Sequence, residues 1–177
     1  MRNPNPTVSI RHSYKSLCAA AMFAAMIALT TAYLFHIPMG SNGGYVHFGD
    51  AFIYLGASLL PMPYACAAAS IGGGLADFMS GVPIWIIPTM IIKPLTAIWF
   101  TNKGKFLCKR NIFALFLAGI VSEVGYYLAE VALSGSWLAP LASVWGIQPA
   151  GSAVLFIIMG ATLDRAGIKN RLQGRIL

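Results

Sequence analysis

Charged residues are scarce in this sequence. Asp, Glu, Lys and Arg make up only 10% of the 177 residues, whereas hydrophobic residues make up 58%. An average soluble domain is roughly 25% charged, so a soluble fold of this length would not need so few charges. The composition therefore favours an integral membrane protein, and we expect residues 1–177 to form a single membrane domain.

Motifs of catalysis and metal binding are also absent. The sequence has no G-x-x-x-x-G-K-[ST] phosphate-binding loop and no H-E-x-x-H zinc motif. The cysteines Cys18, Cys66 and Cys108 have no CxxC spacing, which argues against a disulfide framework or a zinc site. No Ser/His/Asp spacing supports a nucleophile. We therefore predict that the protein is not an enzyme and binds no metal or cofactor.

Long apolar runs, in contrast, follow one another along the chain. A membrane-spanning helix needs about 20 apolar residues, and the second run is too short to cross alone unless it is tilted or sheltered by neighbours. An alternative with four spans, in which residues 49–81 form one re-entrant hairpin, stays open. We predict an all-α membrane protein, a bundle of six transmembrane helices with approximate spans 16–37, 49–61, 63–81, 82–101, 111–133 and 148–167.

The basic residues indicate how the bundle is oriented. The formal net charge is +7, but Lys and Arg cluster beside apolar runs, which is typical of cytoplasmic membrane flanks rather than of nucleic-acid binding. One cluster precedes the first run, one lies within 102–110, and one follows the last run. We therefore expect both termini in the cytoplasm, a multi-pass location in the bacterial plasma membrane, contact with membrane lipid and no nucleic-acid partner.

Two charges interrupt the apolar runs at equal depth. Lys93 lies in "IIKPL" and Glu123 in "SEVGYYLAE", each about 11 residues from the outer end of its segment, or ~16 Å deep at 1.5 Å per residue. An ionisable side chain costs at least ~2.5 kcal/mol at mid-membrane, so it is a functional-site hypothesis by default. We predict a Lys93–Glu123 pair, and whether it only joins two helices or also contacts a ligand stays open.

Further polar and aromatic residues extend this candidate site toward the outer surface. Glu123, Tyr127 and Glu130 stack along one helix face, with Tyr126 beside it. Carboxylates accept N–H bonds and tyrosines stack on rings, so the face suits a flat, nitrogen-rich ligand, although tyrosines also anchor helices at membrane interfaces. Asp50 is expected to be an N-cap. The predicted substrate-binding residues are Lys93, Glu123, Tyr127, Glu130, Asp77, Asn42 and Trp137.

A ridge of alanines runs along the first segment. Ala20, Ala24 and Ala28 are spaced by four, and Ala21 and Ala25 form a second row. Such a smooth ridge allows another helix to approach closely. The partner helix could belong to this chain or to another protein, and we predict Ala20, Ala24 and Ala28 as a partner-docking surface while internal packing stays the alternative.

Three stretches in order, "GGYVHFGDAFIYLGASLLP", "GGGLADFMSG" and "PTMIIKPL", together with the alanine ridge, resemble the substrate-binding S component of an energy-coupling factor (ECF) vitamin transporter. The likeness is greatest to the riboflavin-transporter-like branch, which includes hydroxymethylpyrimidine and pyridoxine-type members. It implies six helices with cytoplasmic termini, an outward-facing pocket, and a complex with a transmembrane coupling subunit and two cytoplasmic ATPase subunits. The alanine ridge would match the docking surface of the family.

The resulting functional hypothesis is a binding subunit of an ECF-type ABC importer that captures a vitamin or related N-heterocyclic precursor outside the cell. The alternative is a stand-alone, proton-coupled secondary transporter of a small N-heterocycle, with Lys93, Glu123 and Glu130 as a proton relay. The ligand stays open among hydroxymethylpyrimidine, pyridoxine, riboflavin, a queuine-type base or another compound.

Overall fold

Six α-helices account for most of the chain in the computed structural model, which describes residues 6–34, 37–38, 45–138, 146–169 and 171–172. Within these residues, the helix content confirms the predicted all-α class. Between α1 and α2, the two-residue strands β1 (Ile37–Pro38) and β2 (Tyr45–Val46) pair antiparallel. The helices are α1 (Pro6–Tyr33), α2 (Asp50–Leu59), α3 (Met62–Met79), α4 (Ile86–Ala97, after a 3-10 turn at Pro83–Trp85), α5 (Lys109–Ser134) and α6 (Ile147–Arg165).

Three helices of the described chain are long and apolar enough to cross a membrane: Tyr14–Tyr33, α5 and α6. The segments Asp50–Leu59 and Pro83–Ala97 are apolar but shorter. Each predicted span overlaps one α-helix, and α1 begins ten residues earlier than predicted because its polar start is also helical. Six crossings and cytoplasmic termini stay predictions.

Glycines in α3 allow this helix to lie close to two neighbours. A methyl group on Gly72 would come within 2.7 Å of the Ala24 carbonyl oxygen in α1. A methyl group on Gly73 would come within 2.8 Å of Thr89 Cγ2 in α4. Both distances are shorter than van der Waals contact allows, so the glycines set the spacing of α1, α3 and α4.

The predicted docking ridge on α1 is buried inside the chain. Ala20, Ala24 and Ala28 are 5%, 7% and 3% exposed, and α1 packs mainly against α3. Small residues favour close packing whether the partner helix is in the same chain or in another, so the sequence could not separate the two. Internal packing is what this structure contains, while Ala21 and Ala25 lie on the exposed side of α1.

Pro94 lies inside α4 and removes one hydrogen bond from the helix. A proline has no N–H, so the carbonyl oxygen of Met90, four residues earlier, loses its usual donor. The Ser70 hydroxyl of α3 donates to this oxygen at 2.9 Å. In a membrane, neighbouring Ser and Thr hydroxyls can satisfy backbone groups that proline frees, so α4 continues to Ala97.

The loop between α4 and α5 is held by two side chains. Asn111, fully buried, exchanges four hydrogen bonds of 2.8–3.1 Å with Ser58, Thr101 and Phe106. Asp164 at the end of α6 accepts the backbone N–H of Phe106 at 2.9 Å and that of the next residue at 3.0 Å. These bonds join the ends of α2, α5 and α6 on the side that carries the basic residues.

Lys169, just beyond α6, folds back onto the same loop. Its side chain is 3% exposed, and Nζ lies 5.0 Å from the centre of the Phe106 ring. Burial lowers the pKa of the Lys169 ammonium, an effect that nearby Cys108 and Asp164 oppose. The contact is a cation–π interaction, which gives this basic residue a packing role.

We expect Gly72→Ala to destabilise the protein by about 1–3 kcal/mol, because the added methyl would overlap the backbone of α1. Thermal unfolding of the purified protein in detergent, followed by circular dichroism, measures the effect. Gly119→Ala in α5 is the matched control, since its methyl would lie 3.5 Å from Pro149, an ordinary contact. Equal melting temperatures for the two variants would show that α1 and α3 are not closely packed.

Candidate ligand-binding site

A buried ion pair joins two helices of the bundle. Lys93 Nζ of α4 donates to Asp50 Oδ1 of α2 at 2.7 Å, and both side chains are at most 2% exposed. The second carboxylate oxygen accepts a hydrogen bond from Gln148 Nε2 of α6 at 3.2 Å. The predicted N-cap role of Asp50 is wrong, because Gly49 occupies the cap position and no side chain caps α2. Asp50 instead neutralises Lys93.

The predicted Lys93–Glu123 pair is therefore wrong. Glu123 Oε1 accepts the backbone N–H of Gly146, the N-cap of α6, at 3.1 Å. The two residues were expected to have equal depth, but depth does not fix the rotation of a helix about its axis. Glu123 satisfies the first turn of α6, where free N–H groups and the helix dipole favour a negative charge.

Tyr126, rather than Glu123, is the α5 residue that contacts Lys93. Lys93 Nζ lies 5.0 Å from the centre of the Tyr126 ring, and the Tyr126 hydroxyl is 3.0 Å from Thr89 Oγ1. The ring of Trp85 lies 6.0 Å from that of Tyr126, centre to centre. Trp85, Thr89 and Lys93 are spaced by four residues, so they lie on one face of α4 and the turn before it. Together they form a wall with aromatic and polar parts.

Asp77 of α3 completes this group. It is 4% exposed and close enough to Lys93 and Tyr126 to interact with them electrostatically. Its position follows from Gly73, one turn earlier, where α3 lies close to α4. Five helices thus place polar side chains in one region, which we call the buried polar cluster: Asp50, Asp77, Trp85, Thr89, Lys93, Tyr126 and Gln148.

The remaining predicted site residues lie elsewhere along α5 and after it. The Tyr127 hydroxyl donates to the Trp137 carbonyl oxygen at 3.1 Å, and the Trp137 side chain is 67% exposed. Glu130 is partly buried on α5. Asn42 lies outside the described residues. Of the seven predicted residues, the structure therefore brings Lys93 and Asp77 together and places Glu123 at the start of α6.

An open groove of about 450 Å³ runs between α5 and α6. Its walls are almost entirely apolar, and Glu123 is the charged residue that lines it. Because α5 and α6 bury little of their surface within the chain, the groove is part of the apolar surface that a membrane would cover. It is lined by Leu115, Phe116, Gly119, Ile120, Glu123, Val124, Gly146, Pro149, Ala150 and Ala153.

The arrangement of these side chains is typical of one class of protein. Its helices have apolar outer surfaces, and its ionised groups converge between helices, as they do in membrane-embedded transport proteins. The sequence matches the family described as "ECF-type riboflavin transporter, S component" over residues 11–165. The chain belongs to this family of membrane-embedded transporter subunits, which are not enzymes, and the resemblance found in the sequence is confirmed.

A second comparison finds a relative without a described activity. Over 108 residues, the chain is 34% identical to a protein of Pyrococcus woesei described as "Uncharacterized protein in gap 3'region". The aligned part covers 59% of this chain and 72% of that protein. This relative adds no information about the ligand.

We expect Lys93→Met to destabilise the protein by about 3–5 kcal/mol, because it leaves Asp50 charged, buried and unneutralised. The double variant Asp50→Asn/Lys93→Met should recover much of this loss, since neither side chain is then ionised. Thermal unfolding of both variants and the parent in detergent tests the pair. A double variant that is no more stable than Lys93→Met would contradict a direct interaction between the two residues.

Removal of the carboxylate at position 123 should loosen the start of α6. We expect Glu123→Ala to cost about 0.5–2 kcal/mol, the usual effect of losing an N-terminal cap. Glu123→Gln should cost less, because the amide oxygen can still accept the Gly146 N–H. Thermal unfolding measures both. If Glu123→Gln keeps full stability but abolishes ligand binding, Glu123 contacts ligand as the sequence predicted.

Proposed function

We propose that the chain is the substrate-binding subunit of an ECF-type importer that captures a vitamin or a related N-heterocyclic precursor from outside the cell. A transmembrane coupling subunit and two cytoplasmic ATPase subunits would drive uptake. Family membership supports a vitamin-binding transporter subunit, and the absence of a phosphate-binding loop from the sequence is consistent with ATP hydrolysis by partner proteins.

The observation that carries the proposal is the buried polar cluster. An ion pair alone would need only Asp50 and Lys93, yet Asp77, Thr89 and Tyr126 are gathered around it. Desolvated polar groups are costly unless they are satisfied or used, and those inside a membrane usually line a substrate path. Aromatic rings beside carboxylates suit a flat ring that carries N–H groups.

The charge distribution supports an outward-facing cluster in a multi-pass cell-membrane protein. Of the 12 Lys and Arg residues, 11 lie before residue 16, within 103–110 or after residue 164, and Lys93 is the exception. With these flanks in the cytoplasm, six crossings place both termini inside and the start of α2 outside. We propose that Asn42, Glu123, Tyr127, Glu130 and Trp137 contribute to the same ligand site as Lys93 and Asp77.

The partner surface is proposed on α1. The family resemblance assigns docking to a row of alanines, and the row Ala20, Ala24 and Ala28 is buried against the rest of the chain. Docking through these three residues would require α1 to move. The exposed row of Ala21 and Ala25 offers the same small-residue spacing without such a movement.

Ligand capture can be tested with the purified protein. We expect mass spectrometry to find a co-purifying N-heterocyclic vitamin or precursor, and Tyr126→Ala to weaken its binding at least about tenfold, equivalent to 1.4 kcal/mol. Phe113→Ala, on the exposed side of α5, is the matched control and should bind normally. Equal binding by all three proteins would remove the buried polar cluster from the site.

Transport distinguishes the proposal from its alternative. In liposomes, uptake should require ATP and the coupling and ATPase subunits. Uptake by this chain alone, driven by a pH gradient, would instead identify a proton-coupled secondary transporter.

A further inference from the structure

The carboxylates of the chain outnumber its cations in the half of the bundle that would face outside. Four of the five acidic residues lie there, whereas Lys93 is the one Lys or Arg between residues 16 and 102. The formal charge of this half is therefore −3 with neutral histidines. The four acidic residues are Asp50, Asp77, Glu123 and Glu130.

The one lysine in this half already forms an ion pair. Lys93 Nζ lies 2.7 Å from Asp50 Oδ1, and the pair is almost completely buried. Asp77 is a second carboxylate that interacts with the same ammonium electrostatically, so the two carboxylates carry one more negative charge than Lys93 neutralises. A phosphate or carboxylate brought into the buried polar cluster would meet an excess of negative charge in a medium that screens poorly.

Trp85 indicates a group that the ligand should supply, namely a hydrogen-bond acceptor. Its side chain is 9% exposed, and its Nε1–H has no hydrogen-bond partner in the part of the chain that the structure describes. A buried donor without an acceptor is costly, and a ligand that supplies the acceptor removes this cost. The adjacent Tyr126 ring offers a face on which a flat ligand can stack.

We infer that the site takes an uncharged or monocationic flat N-heterocycle, with a ring nitrogen or carbonyl oxygen as the acceptor for Trp85, and that it rejects the phosphorylated form of the same compound. This inference rests on the proposed function and specifies its substrate class. The ring would stack on Tyr126, and its N–H or amino groups would face the carboxylates.

Matched vitamin pairs that differ only by a phosphate provide the test. Riboflavin and riboflavin 5′-phosphate, pyridoxine and pyridoxine 5′-phosphate, and thiamine and thiamine monophosphate are titrated into the purified full-length protein by isothermal calorimetry. We expect at least one unphosphorylated member to bind, and its phosphate to bind at least about tenfold more weakly. If a vitamin and its phosphate bind with equal affinity, the inference that the site rejects phosphorylated ligands is overturned.

Variants separate the role of the Trp85 N–H from that of the Asp77 carboxylate. For the probe that binds, Trp85→Phe keeps a ring but removes the N–H, and it should raise Kd about tenfold. Trp99→Phe is the control: Trp99 follows the end of α4, whereas Trp85 precedes its start, and this variant should leave Kd unchanged. Asp77→Asn removes one negative charge, so it should reduce the difference in Kd between the vitamin and its phosphate. Melting temperatures confirm that each variant is folded.

The outcomes distinguish this inference from the proposed function. A vitamin that binds while Trp85→Phe leaves Kd unchanged would refute the role of Trp85 and leave the proposed function intact. If none of the unphosphorylated vitamins binds and none co-purifies, vitamin capture itself fails, and the substrate class fails with it.

Discussion

The ion pair between Lys93 and Asp50 is the constraint around which the bundle is arranged. Neither charge could remain in an apolar interior alone, so α2 and α4 must be positioned to bring the two side chains within 2.7 Å. Gln148 satisfies the second oxygen of Asp50, which fixes α6 against the same point. One electrostatic requirement thereby sets the relation of three helices that are far apart in sequence.

Close packing makes this arrangement compatible with additional polar residues. Gly73 brings α3 so near to α4 that Asp77, one turn later, lies within electrostatic range of Lys93. A methyl group on Gly125 of α5 would come within 3.0 Å of Ile92 Cγ1, so α5 approaches α4 and Tyr126 lies beside the ammonium. Small residues therefore serve the site indirectly, because they control how near the polar side chains of neighbouring helices can come.

The sequence was sufficient for the helices and insufficient for the pairing of charges. Apolar length and basic flanks predicted six helical segments, since these properties are local. The partner of Lys93 depends on helix rotation and on contacts between distant segments, which periodicity in one helix cannot fix. Tyr126 had a usable signal: it follows the small residues Ala118 and Ser122 at intervals of four, and a row of small residues is typical of a helix face that packs closely.

The assignment of Asp50 failed for a related reason. An aspartate at the start of a helix is most often a cap, and the local pattern contained nothing to indicate Lys93, 43 residues later. The alanine ridge was ambiguous in the same way, because one spacing serves internal and external packing. The role of Asp50 and the packing of the alanine ridge both depend on contacts between residues that are distant in sequence.

The hydrogen bond from Ser70 to Met90 has a mechanical consequence. If α3 and α4 separated within lipid, the Met90 carbonyl oxygen would lose its donor where no water could replace it. The two helices should therefore behave as one rigid body. Any reorientation of the protein in the bilayer would then carry α3 and α4 together.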